Sequence, residues 1–263
     1  GLAAQLRRAA GLLGELSSER LPARLLEELA ILHLASSAFQ RLASLSKTEQ
    51  ADLRAFIGWS QRRELTLESA PRRDLWQVMG IAAAETAPVR VRRIWLQGME
   101  CREAALLIDY DGEMERDLRP GLTIAGELRY FPGGWPLRAV LDHDLRAEEC
   151  STRLSGETRL IEPALRRYAE ALASNPWLEH FPMLLAGIEL RQFDGDWVVV
   201  DRQGDRLPLA TVGRSALTPW RILALGGGAP LDLFGEWDGR AFRALTVLVG
   251  ERLTDLATGI GGE

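Results

Sequence analysis

The apolar residues of this chain change their period once, near Pro71, and that switch restricts the fold to helices followed by sheets. Before it, Leu2, Leu6, Ala9, Leu13 and Leu16 recur at helical spacing, and Leu25, Leu29, Leu32, Phe39 and Leu42 form a second, longer stripe. Pro22 stands where a first-turn residue belongs, since its missing N–H is no loss there. Ser46 and Glu49 have the spacing of a capping box, with Leu53, Phe56 and Ile57 continuing the helix it opens. Residues 1–75 therefore read as a helical bundle.

After Pro71 the pattern shortens. Val89, Val91 and Ile94 to Leu96 predict a strand, Ala104 to Tyr110 a second closed by the turn pair Asp111-Gly112, and Leu122 to Phe131 a third, broken by Pro132-Gly133-Gly134. Leu137 to Leu141 follows, and the polar stretch 147–159 reads as a linker. Pro163 starts a helix that Asn175-Pro176 ends. From Met183 the chain returns to strands, with Asp194-Gly195 and Gln203-Gly204 as turns about Trp197 to Val200. Thr218-Pro219 reads as cap and first turn of a short helix stopped by Gly226 to Gly228, and Leu231 to Gly239 as a strand and turn. The expectation is an α+β chain: a helical bundle (1–75), an antiparallel β subdomain (76–150) forming a small sheet or barrel, and a mixed α/β C-terminal subdomain (151–263).

Composition narrows the function. Hydrophobic residues make up 46% and charged residues 26%, so a chain of 263 residues can bury a sizeable core. The longest apolar runs, such as Met183 to Ile188, fall far short of a membrane span. The start has no signal-peptide pattern and reads as a cut inside a longer protein, which makes the cytoplasm the expected compartment. The net charge is −5, and Lys47 is the only lysine among 32 basic residues. Split by region, the net is +2 over 1–75, −4 over 76–150 and −3 over 151–263, without the basic excess of a nucleic-acid face. Two cysteines, Cys101 and Cys150, make no disulfide framework.

The residues that carry chemistry do not assemble into a motif. Histidine occurs three times, at His33, His143 and His180. His143, between Asp142 and Asp144 and near Glu148, Glu149 and Cys150, is the most metal-like, yet on a strand its neighbours point to the opposite face. There is no Gly-x-Ser-x-Gly, no His-Glu-x-x-His and no glycine loop before Lys47. Asp194 and Asp196 could pair for acid–base work, but a turn predicts the same letters. The expectation is a non-enzymatic chain with no catalytic, cofactor or metal residues.

Tryptophan is abundant, at eight residues against three tyrosines. Most of these rings belong in cores. Trp135, after Phe131 to Gly134, and Trp237, in Gly235 to Gly239, lie beside turns and are the candidate interface anchors.

Four runs, Leu25 to Ala30, Tyr130 to Ala139, Asn175 to Pro182 and Phe234 to Gly239, resemble the C-terminal region of bacterial SWIM zinc finger family proteins. The family's zinc element has a Cys-x-Cys followed by a Cys-x-His. This chain has neither half, so zinc binding does not carry over; a finger in the parent protein would lie before Gly1. The resemblance implies a scaffold or protein-interaction role beside a MoxR-type AAA+ ATPase and a von Willebrand A-domain protein. The alternatives are a nucleic-acid-binding accessory module and, further off, a hydrolase built from carboxylates.

Overall fold

The change of period appears in three dimensions as a helical region set against a body of two antiparallel sheets. The structure, a computed structural model, describes residues 2–15, 21–59, 69–86, 89–110, 118–135, 137–141, 146–150, 154, 159–211, 217–250 and 252–256. The expected Asp111-Gly112 turn and the cluster around His143 lie outside these residues.

Helices α1 (Leu2–Glu15), α2 (Leu21–Gln40) and α3 (Lys47–Ile57) form the first part. The capping box is present: the Glu49 amide donates to Ser46 Oγ at 3.2 Å, and the Ser46 amide donates to Glu49 Oε2 at 2.8 Å. Gly58, at φ 86°, closes α3 in the left-handed conformation that glycine adopts without strain.

The first sheet holds β1 (Arg72–Thr86), β2 (Val89–Gly98), β3 (Ala104–Tyr110), β4 (Leu122–Tyr130), β5 (Ala139–Leu141) and β6 (Arg146–Cys150). Its order is β3-β2-β1-β4-β5, with β6 also on β4. The ends nearly meet: the Leu106 amide donates to the Leu137 carbonyl at 2.6 Å, and the Tyr130 hydroxyl donates to the Ala104 carbonyl at 2.9 Å. The result is a nearly closed barrel filled by alternate side chains, among them Trp76, Val78, Ile94, Leu96, Leu107 and Ile124. Two expectations need correction. The 15-residue β1 was not legible as a strand, and residues 147–150, the start of the stretch 147–159 read as linker, belong to β6 and pair with β4 instead.

The second sheet has the order β12-β11-β10-β7-β8-β9. Its strands are β7 (Phe181–Phe193), β8 (Asp196–Val200), β9 (Arg206–Pro208), β10 (Leu231–Trp237), β11 (Phe242–Val249) and β12 (Arg252–Asp255). Asp194 (φ 52°) and Gly195 (φ 88°) make the tight turn between β7 and β8, as the letters suggest. Helix α4 (Ile161–Ser174) takes its N-terminal partner from far along the chain: buried Asp201 accepts from the Ile161 amide at 2.9 Å. Helix α5 (Thr218–Gly226) already includes Thr218, whose side chain does not act as its cap.

The main core lies between the second sheet and α4 and α5. A smaller one, with Met79, Trp95, Leu184, Phe234 and Leu245, joins the second sheet to the barrel. The two sheets pack tightly at Gly80, where an added Cβ would come within 2.9 Å of Phe234 Cδ1 and 3.0 Å of Leu245 Cβ. Beside it the Thr246 hydroxyl donates to the Met79 carbonyl at 2.7 Å.

Candidate functional site

At the seam between the sheets lies a buried charge pair. Strands β2 and β10 face each other there, so Arg93 and Trp95 project from one and Glu236 from the other. Glu236 accepts from Arg93 Nε at 2.8 Å, from Arg93 Nη2 at 2.7 Å and from the Trp95 indole N–H at 2.7 Å. Both carboxylate oxygens are thus engaged, in a residue only 2% exposed. Burial pushes the Glu236 pKa up, but the hydrogen bonds and charge of Arg93, with smaller help from His180 and Trp95, outweigh it and hold the pKa below the usual carboxylate range. His180 Nδ1 sits 4.0 Å from Glu236 Oε2. Burial first, and then the Arg93 charge, hold its imidazole pKa below the ordinary value. A carboxylate held ionised and committed to three donors is a fastener between layers and a poor general base.

A second set of polar contacts fastens the helices to the sheets. Asp52 of α3, buried at its carboxylate, accepts from the Gly134 amide at 2.8 Å and from Asn175 Nδ2 at 3.2 Å. Phe56 stacks on Trp177 with centroids 4.8 Å apart. Arg240, in the turn after β10, donates to Glu27 of α2 at 2.6 Å, and Gln5 of α1 donates to Glu179 at 2.7 Å. Each of the four runs that suggested a family thus contributes to a joint: Glu27 from the first, Gly134 from the second, Asn175, Trp177, Glu179 and His180 from the third, Glu236 from the fourth. Their glycines have a steric reason, because a Cβ on Gly134 would lie 2.1 Å from the Ser174 carbonyl oxygen and one on Gly133 2.6 Å from Asp52 Oδ1.

The structure brings Trp135 and Trp237 to one aromatic cluster. Trp135 approaches Phe181 (6.4 Å), Phe181 approaches Tyr168 (5.5 Å), and Tyr168 meets Trp237 edge-on (6.5 Å). Trp237 is a core residue, 6% exposed. The reading of Trp237 as a surface anchor is therefore corrected: its strand position turns the ring inward under α4, where it fills volume. Trp135 is half-buried, with the Arg167 guanidinium 5.9 Å from its ring.

Trp135 also lines a half-open cleft of about 850 Å³ where the barrel, β7 and α4 come together. Its floor is apolar, with Met79, Leu137, Phe181, Met183 and Phe234. Its mouth carries Arg72, Arg102, Arg159 and Arg167 against one acid among the described lining residues, Glu103. Arg72 Nη2 lies 3.5 Å from Glu103 Oε1, so that acid is already matched. A shallower groove of about 250 Å³ continues along α4 and shares Arg159 and Arg167 with the cleft. Sequence reasoning missed this cluster because its four arginines are scattered over 95 positions and belong to separate elements.

The remaining chemistry-bearing residues serve the fold. Asp74 ties the turn between β2 and β3 by accepting from the Cys101 amide at 2.9 Å and the Glu100 amide at 3.1 Å. Burial, with a hydrogen bond to Asp74, pushes the Cys101 thiol up to about 11, which leaves it a poor nucleophile at neutral pH. Asp194 and Asp196 are exposed at the ends of their turn. No group of three or more potential metal ligands occurs among the described residues, and no helix there is long and apolar enough to cross a membrane.

Comparison with known proteins bears on the helices. Residues 1–57 match the family model of the SWIM-associated four-helix bundle domain. The match ends at Ile57, with α3, and includes none of the strands. No curated protein and no solved structure matches the chain.

Proposed function

We propose that the chain is a non-catalytic protein-interaction region of a SWIM-type protein, and that its helical part recognises an amphipathic helix. The observation that carries this reading is one face of α2. Pro22, Leu26, Leu29, Ala30, His33 and Leu34 are all exposed there, and no charged side chain interrupts them. Leu26 is 68% and Leu29 54% exposed. An apolar surface of this kind is a cost in water unless something covers it. A further helix laid on α2 would bury the exposed leucines at helical spacing.

The committed arrangement of Glu236, Asp52 and Asp74, each engaged by amides, guanidinium or indole donors, supports a structural use of the buried carboxylates. A MoxR-type AAA+ ATPase and a von Willebrand A-domain protein are the partners to test first. In the parent protein, Leu26→Glu combined with Leu34→Glu should abolish co-purification of the partner while leaving the melting temperature unchanged, because both side chains are already in water. Undiminished capture by this variant would refute the assignment to α2.

A further inference from the structure

We infer that the helical part is held on the sheets by a polar clasp that opens as a unit while both sheets stay folded. The clasp lies on other residues than the exposed α2 face and does not depend on the reading of that face. The three hydrophobic cores hold the two sheets with α4 and α5, and among the described residues none of them takes a side chain from α1, α2 or α3. The helices are joined to the rest by separate contacts, most of them on the connection between α4 and β7. Asp52 accepts from Asn175 Nδ2 as well as from the Gly134 amide, Phe56 stacks on Trp177, and Gln5 donates to Glu179. Arg240 and Glu27 add an ion pair whose side chains are 40% and 51% exposed.

Contacts of this kind separate far more readily than a core. An ion pair as exposed as Arg240–Glu27 is screened by salt and exchanges for water with little loss. The polar ends of Asp52, Asn175, Gln5 and Glu179 find water again once the two sides part. Phe56 and Trp177 are only partly buried in their stack, so parting them wets less apolar surface than opening a core. Joints within a chain that lack an apolar core let their two sides move, and such units open below the free energy of global unfolding. The loop between β4 and β5 shows how closely the clasp is fitted. A Cβ on Gly133 would lie 2.6 Å from Asp52 Oδ1, and among the described residues it would come within 4 Å of no residue but Asp52. A single methyl group there acts on the clasp alone. When the clasp is closed, α3 covers Asn175 and Trp177; when it is open, both face water and become available to a partner.

The test is native-state hydrogen exchange of the full chain, followed residue by residue by NMR at low urea concentrations. The Gly134 amide reports on the clasp, because its bond to Asp52 must break before it exchanges. In the parent it should exchange at least about tenfold faster than the amides paired between β1 and β2 or between β7 and β10, and with a weaker dependence on urea. Gly133→Ala should speed Gly134 and the amides of α3 together by about tenfold or more and leave those ladders unchanged. Phe56→Ala removes the stack while keeping a strong helix former in α3, and should do the same. The inference is overturned if Gly134 exchanges at the rate and with the urea dependence of the ladder amides, since the clasp then opens only in global unfolding. It is also overturned if Gly133→Ala speeds Gly134 while α3 keeps its parent rate, which would reduce the effect to a movement of the loop. Ladders sped as much as α3 in either variant would overturn it by making the helices part of one cooperative core.

Discussion

Replacing Glu236 by glutamine keeps the shape of the side chain and removes its charge at the seam between the two sheets. The Arg93 side chain there is 12% exposed and that of Glu236 2%, so the guanidinium would remain in a low-dielectric setting without its counter-ion. The glutamine amide group would also present a donor to Arg93 or to the Trp95 indole, both of which are donors. Breaking one partner of a buried pair costs about 3–5 kcal/mol. In a chain of this size each kcal/mol lowers the melting temperature by about 2–4 °C, so the expected drop is about 6–20 °C. Arg93→Met should cost a similar amount for the converse reason.

The double variant, Arg93→Met with Glu236→Leu, distinguishes a pair from two independent residues. Apolar replacement of both partners is often neutral or better. What persists is the Trp95 indole N–H without its acceptor, at about 1–3 kcal/mol. The double variant should therefore be more stable than either single one. Urea unfolding followed by tryptophan fluorescence gives each stability. A loss under about 1 kcal/mol in Glu236→Gln, or a double variant as damaged as the two single losses combined, would show that the pair does not fasten the sheets. The pH dependence has a definite sign. Because the folded-state pKa of Glu236 is depressed, its stabilisation is complete above the ordinary carboxylate range and declines as pH falls through that range towards the lower folded value. Glu236→Gln should flatten that acid limb.

Three other outcomes are expected. Gly80→Ala should destabilise by about 1–3 kcal/mol in denaturant unfolding, because its methyl group must push Phe234 and Leu245 away where the sheets pack; an unchanged midpoint would show that the seam is loosely packed. Trp237→Ala should lose about 3–5 kcal/mol as a core truncation, and a variant that melts like the parent would return this ring to the surface. Cys101, although exposed, should react with iodoacetamide slowly at pH 8, with a rate that climbs towards pH 11 as the thiolate forms; rapid alkylation at neutral pH would contradict the raised thiol pKa.

Much of the architecture was legible from local patterns. The capping box at Ser46, the apolar run Ala104–Tyr110 and the turn at Asp194-Gly195 are short-range features, decided by hydrogen bonds and sterics within a few residues, so they read correctly from the letters. The failures come where pairing with distant chain overrides local preference. Residues Arg72–Thr86 begin with charge and end in an alanine run, neither typical of a strand, yet neighbours on both sides hold them extended. The charged stretch Arg146–Cys150 becomes a strand for the same reason, by pairing with β4.

The functional surfaces divide along the same line. The four distinctive runs were visible in sequence, but their use was not: Asp52 lies 82 residues from Gly134 and Arg93 lies 143 residues from Glu236. Trp237 shows the difference most directly. Its place beside a glycine turn was local information, and the direction of its ring was set by which face of β10 met α4. The sequence by itself determined where helices give way to strands and where turns fall, because those depend on the period of side chains along one segment. Only the tertiary structure decided which charges are buried together, which rings are core and where four scattered arginines surround one cleft, because those depend on distances between segments that no local pattern encodes.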